Sequence, residues 1–141
     1  MRLSAALLFC LTACDQPLPC QNCPSVAGHY QVAWADSGSG TASCLVGDPF
    51  VTKWHLEQRG AQVSTTIDGV ALVGTVYETF DTLLSGGQGS RYYRLEALVI
   101  PQSARADAGA LLQGTFTARG IRDSGIQCEV AERFSATHVE P

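Results

Sequence analysis

From residue 51 to residue 58 apolar and polar positions alternate with a period of two. Thr52, Trp54, Leu56 and Gln58 share one side and Val51, Lys53, His55 and Glu57 the other, the pattern of a strand with one buried face. Arg59-Gly60 breaks the alternation. Residues 61–67 (AQVSTTI) are rich in β-branched side chains and lead into Asp68-Gly69, a dipeptide that accepts positive φ at both central positions of a type I′ hairpin turn. Val70 to Phe80 is predicted as a third strand, which makes this region a meander. Its segment Leu72-Val-Gly74-Thr-Val76 recurs as Leu112-Gln-Gly114-Thr-Phe116. A glycine inside a strand weakens local propensity but lets the sheet bend or a neighbour approach closely, as a closing barrel requires.

The alternation continues on both sides. Tyr30, Val32 and Trp34 share one face of a strand over residues 29–35, and residues 36–40 (DSGSG) form a loop. Residues 42–46 hold Cys44 in a small apolar patch ahead of Gly47-Asp48-Pro49. Residues 85–90 (SGGQGS) read as a flexible turn. In the following strand, residues 91–100, Tyr93, Leu95, Ala97 and Val99 oppose Tyr92, Arg94, Glu96 and Leu98. A polar loop (101–109), a strand (110–119), a turn (120–125) and a last strand (126–138) complete the chain. Seven or eight strands at regular spacing, with no amphipathic helix of useful length, predict an all-β fold. Short connections between sequential neighbours favour a single antiparallel up-and-down meander barrel over a sandwich, because closure removes exposed edges. The barrel domain is expected to span residues 28–141.

Cysteines add a constraint. In a closed meander the last strand lies antiparallel to the first, which brings Cys128 beside the exit of the first strand, just before Cys44. That geometry favours Cys44–Cys128 and leaves Cys20–Cys23, although sequence alone permits three pairings of these four. A Cys44–Cys128 bond would close more than eighty residues and stabilise by roughly 4 kcal/mol in the chain-entropy model. Cys20-x-x-Cys23 is not followed by a helical pattern, so a structural disulfide in an oxidising compartment is expected rather than a redox pair.

The start of the chain has a different character. Arg2 supplies a charge, residues 3–11 a short apolar run, and Leu11-Thr-Ala-Cys14 a run of small residues before a cysteine. The run is too short to cross a bilayer as a helix, so residues 1–13 are expected to be a signal peptide. The Leu-x-Ala-Cys ending resembles the lipobox of bacterial lipoproteins. That resemblance implies cleavage before Cys14, acylation of its sulfur and usually of the new amino group, and a lipid-anchored protein of the cell envelope. Asp15 resembles the residue that, in some enteric bacteria, retains lipoproteins in the inner membrane; the rule differs between groups, and both membranes stay open. Cleavage before Cys14 removes 13 of the 141 residues and leaves 128, enough for one domain with a core. Residues 14–27, with three prolines and no periodicity, are expected to be a tether between lipid and barrel.

Trp54-x-Leu56-x-Gln58-x-Gly60-x-x-Val63, followed by a Leu-x-Gly-Thr strand, resembles the small lipocalin-like and avidin-like β-barrels found among bacterial extracytoplasmic lipoproteins. The Gly-x-Trp of true lipocalins is replaced here by Gly28-His-Tyr30, and the biotin-contacting pattern of avidins is not traceable residue by residue. The resemblance implies a barrel architecture and ligand binding in its mouth.

Chemistry finds little purchase in the pattern. His29, His55 and His138 lie in separate strands without metal-ligand spacing, so no metal or other cofactor is expected. No nucleophile elbow, phosphate loop or dinucleotide fingerprint is present, and Asp81, Glu96 and Glu129 form no recognisable carboxylate pair, so an enzyme is not expected. Nine basic against 13 acidic residues, with Lys53 the only lysine, argue against nucleic acid as a partner. Two binding modes remain. Trp34, Trp54, Tyr77, Tyr93, Phe116 and Phe134 are candidates to line an interior that holds a small apolar ligand. Alternatively the barrel fills itself with these side chains, and its loops meet an envelope protein partner.

Overall fold

Eight antiparallel strands follow one another: β1 (Gly28–Trp34), β2 (Lys53–Arg59), β3 (Gln62–Ile67), β4 (Val70–Val76), β5 (Asp81–Gln88), β6 (Arg91–Pro101), β7 (Ala110–Ile121) and β8 (Gln127–Val139). Each pairs with its sequence neighbour, and β8 returns to pair with β1 from Val139↔His29 to Phe134↔Trp34, so the sheet closes into a barrel. The structure, a computed structural model, describes residues 16–35, 45, 47–102, 109–121 and 124–140. The all-β, up-and-down barrel expected from the alternation is what the chain forms.

The period of two decides which side chains go inside. In β6, Tyr93, Leu95, Ala97 and Val99 are buried while Tyr92, Arg94, Glu96 and Leu98 face water. The same rule buries Tyr30 and Val32 of β1, Trp54 and Leu56 of β2, and Phe134 and Ala136 of β8. The Asp-Gly hairpin also forms: Asp68 (φ 48°) and Gly69 (φ 76°) both take left-handed conformations between β3 and β4. The repeated Leu-x-Gly-Thr motif has a steric cause. A Cβ on Gly74 would land on the Leu83 carbonyl and the Leu84 Cα, and one on Gly114 on the Glu96 carbonyl and the Ala97 Cα. At both places a neighbouring strand bends inward through the space a side chain would need.

The predicted strand from Val70 to Phe80 is two elements. β4 stops at Val76, and residues 77–80 turn tightly, with the Tyr77 amide donating to the Asp81 carbonyl (2.8 Å) and the Phe80 amide to the Tyr77 carbonyl (2.9 Å). Phe80 takes φ 63°, a conformation that costs a side-chain-bearing residue about 1 kcal/mol. Residues 85–88, expected in a flexible turn, belong to β5 and pair with β6 up to Gln88↔Arg91. Gly86 is used there for close approach of the Ala71 carbonyl rather than for turning.

One end of the barrel, its base, carries the β2–β3 and β4–β5 turns and the N-terminal segment. The other, its mouth, carries the exit of β1 and the β3–β4 and β5–β6 turns. The Pro- and Cys-rich segment expected as a tether is tied to the base from Leu18 onward. The Glu78 amide donates to the Leu18 carbonyl (3.0 Å), Pro19 bridges to Tyr77, and the Cys20 amide donates to the Val76 carbonyl (3.0 Å). Gln58 clamps the segment from both sides, accepting from the Val26 amide (2.7 Å) and donating to the Pro24 carbonyl (3.2 Å). Val26 is fully buried in the core.

Cys20 and Cys23 form a disulfide inside this segment. Replacing both by serine is expected to cost about 2 kcal/mol, because so short a loop saves little chain entropy; urea denaturation of the two forms measures it. Cys128 at the start of β8 is also disulfide-bonded. Cys44, the partner that the geometry favours, lies outside the described residues, as does Cys14.

Candidate functional site

The half of the interior towards the mouth is a cluster of aromatic rings. Trp34 and Phe134 are cross-strand partners on β1 and β8, Trp54 comes from β2 and Phe116 from β7. Trp34 lies edge-on to Trp54 (ring centroids 5.8 Å apart) and to Phe50 (5.1 Å), and Trp54 lies edge-on to Phe134 (4.8 Å). Tyr93 joins through Phe116 at 5.5 Å. These are preferred edge-to-face separations, so the rings fill the space by touching one another. Of the six residues nominated from sequence for a ligand, Trp34, Trp54, Tyr93, Phe116 and Phe134 meet here. Tyr77 does not: β4 ends one residue before it, and the backbone of Tyr77 is turned to the base against Pro19. Phe50 was not a candidate, since it follows the loop signal Gly47-Asp48-Pro49 and belongs to no alternating pattern.

Two polar atoms inside this cluster lack partners among the described residues. The indole nitrogens of Trp34 and Trp54 are buried, and no acceptor there meets either of them. An unpaired buried donor costs about 1–3 kcal/mol.

At the mouth, Asp68 of the β3–β4 turn is bonded to two side chains of β6. Arg91 donates to its carboxylate and to its backbone carbonyl, each at 2.9 Å, and the Tyr93 hydroxyl donates to the same carboxylate oxygen at 3.1 Å. Burial raises the Tyr93 pKa, and the Asp68 carboxylate raises it further by accepting its proton and by its charge, against an opposing contribution from Arg91. Nearer the base, Tyr30 donates to the Val26 carbonyl (3.1 Å). Burial pushes its pKa up to about 12, partly offset by the Ala110 backbone.

Searches of protein-family models, curated proteins and solved structures found no match. The chemistry of the barrel is read from its residues alone.

The tyrosines set an alkaline limit. An unfolded chain ionises its phenols near pH 10, whereas the folded chain holds Tyr30 and Tyr93 protonated above that value. Their contribution is complete below pH 10 and falls as pH rises from 10 towards 12, because only the unfolded state then releases these protons. The loss at pH 12 is expected to be about 2 kcal/mol from Tyr30, and Tyr30→Phe should flatten the profile; urea midpoints across this pH range measure it.

Two of the three histidines meet, because β1 and β2 are neighbours in the closed sheet. His29 and His55 are cross-strand partners on the outer wall with ring centroids 4.3 Å apart, and His138 lies edge-on to Tyr30 at 5.4 Å. Among the described residues no three metal-binding side chains come together. The outer wall has shallow grooves. One, over β2, β3 and β4, is lined by Glu57, Arg59, Gln62, Ser64, Val73 and Thr75. Another, over β6, β7 and β8, holds Tyr92 beside the Arg119–Glu129 ion pair (2.6 Å), with the Arg119 guanidinium 6.0 Å from the Tyr92 ring centre.

Proposed function

We propose that this chain is a lipid-anchored lipoprotein of the bacterial cell envelope, held through acylated Cys14. Its barrel is a self-filled scaffold that presents its outer wall and loops to an envelope protein partner. The observation that carries the scaffold reading is the aromatic interior, where Trp34, Trp54, Phe116 and Phe134 touch one another at distances of 4.8–6.2 Å. Rings at contact leave the space between them to no guest. The lipid anchor is supported by Leu11-Thr-Ala-Cys14 and the apolar run before it.

A second reading is favoured by one observation. The indole N–H groups of Trp34 and Trp54, unpaired among the described residues, would suit a small apolar ligand with a hydrogen-bond acceptor, seated at the mouth. Native mass spectrometry of residues 16–141, secreted into a periplasm so that the disulfides form, separates the two. The scaffold reading predicts the bare monomer mass. A reproducible additional mass, lost on denaturation, would replace it with the ligand reading.

A further inference from the structure

We infer that the base of the barrel is seated on the lipid surface, with Phe80 and Leu18 dipping into the interfacial layer; this rests on the acylation of Cys14 proposed above. The first observation is where the chain becomes fixed. Leu18 is already bonded to the β4–β5 turn through its carbonyl, and the Pro19–Tyr77 bridge, the Cys20–Val76 hydrogen bond and the Gln58 clamp follow without a break. Only residues 15–17 separate Leu18 from Cys14. Four residue steps span at most roughly 14 Å, so an acylated Cys14 leaves the base no room to drift from the headgroups.

The second observation is independent of the anchor. Phe80 holds a left-handed backbone (φ 63°) in the β4–β5 turn of the base, a position that glycine or asparagine would fill without strain, and its side chain is 42% exposed. Leu18, 63% exposed, is bonded to the same turn, and Leu98, 45% exposed, sits on the outer wall opposite Asp81. A strained backbone that holds an aromatic ring out in water is a cost without return in the isolated molecule. At a membrane interface the same ring is favourably placed. Glu78 and Asp81 border the patch, so the surface it fits is zwitterionic rather than strongly anionic.

The test uses the full lipidated protein with Phe80→Trp, in zwitterionic phosphatidylcholine vesicles whose acyl chains are brominated near the headgroup. Bromine quenches indoles only at short range. The native indoles, Trp34 and Trp54, lie at the mouth end and serve as the reference. The seated base predicts that the emission added by Trp at position 80 falls by half or more, while the emission of the unsubstituted protein does not change. Because the variant alters a strained turn, amide exchange of the unsubstituted protein is read in parallel, with slowing expected at residues 77–80 and none at residues 68–69. Vesicle flotation and intact mass report the anchor separately. An acylated, floating protein with no quenching at position 80 and no slowing overturns the seating alone. A protein without acyl groups that does not float overturns the anchor and the seating together.

Discussion

Phe116→Ala lowers the stability of the barrel by about 3–5 kcal/mol, the usual cost of emptying a buried aromatic site. Phe116 is fully buried and is the ring that joins the others, meeting Trp34 at 5.8 Å, Phe50 at 5.9 Å, Trp54 at 6.2 Å and Tyr93 at 5.5 Å. Trp34, Trp54 and Tyr93 project from three different strands of a closed sheet, so they cannot collapse into the hole without moving the backbone. Because a domain of this size has a total stability of about 5–15 kcal/mol, the variant should lose a large share of it. Urea denaturation followed by tryptophan emission measures the loss, with an unchanged slope expected if the folded state keeps its dimensions. A loss below about 1 kcal/mol would mean that the interior near the mouth is loosely filled.

Gly114→Ala costs about 3 kcal/mol for the opposite reason, too many atoms rather than too few. The added methyl group would meet the Glu96 carbonyl and the Ala97 Cα, which are backbone atoms held by the β6–β7 ladder and cannot rotate away. Gly87→Ala is the matched control. There a Cβ would stand 3.2 Å from the Arg91 carbonyl and 3.5 Å from a Tyr92 ring atom, contacts that small shifts relieve, so the cost is expected to stay below about 1 kcal/mol. Equal effects at the two positions would remove close strand approach as the reason for the repeated Leu-x-Gly-Thr motif. Thermal midpoints of the two variants decide between these outcomes.

The alternation in residues 29–35, 51–58 and 91–100 made the barrel legible, since burial of one face is a local property that the chain writes at every second residue. The Asp68-Gly69 turn was legible for the same reason: its conformational need is met by the residues themselves. The β4–β5 turn was not, because Phe80 is a residue type that avoids the conformation it adopts there. Gly86 and Gly87 misled in the other direction, as glycine marks both turns and close strand contacts. The attachment of residues 18–27 to the base depends on backbone hydrogen bonds and on Gln58, 32 positions from Val26, and irregular segments leave no periodic trace of such ties. Within the aromatic cluster, inward parity identified Trp34, Trp54, Tyr93 and Phe116. It overreached at Tyr77, where the strand has already ended, and Asp68 escaped notice because its turn role concealed its bonds to Arg91 and Tyr93.

The most direct test of the self-filled interior reads the two indole N–H groups themselves. One sample of ¹⁵N-labelled protein is purified without denaturation, and a second is unfolded in guanidinium, desalted and refolded with its disulfides intact. If Trp34 and Trp54 are surrounded only by the protein's own rings, both samples give the same two indole resonances at the same positions. Indole resonances that move, split or broaden after refolding would mean that a guest had occupied the mouth and was washed away, and the filled scaffold would have to be abandoned.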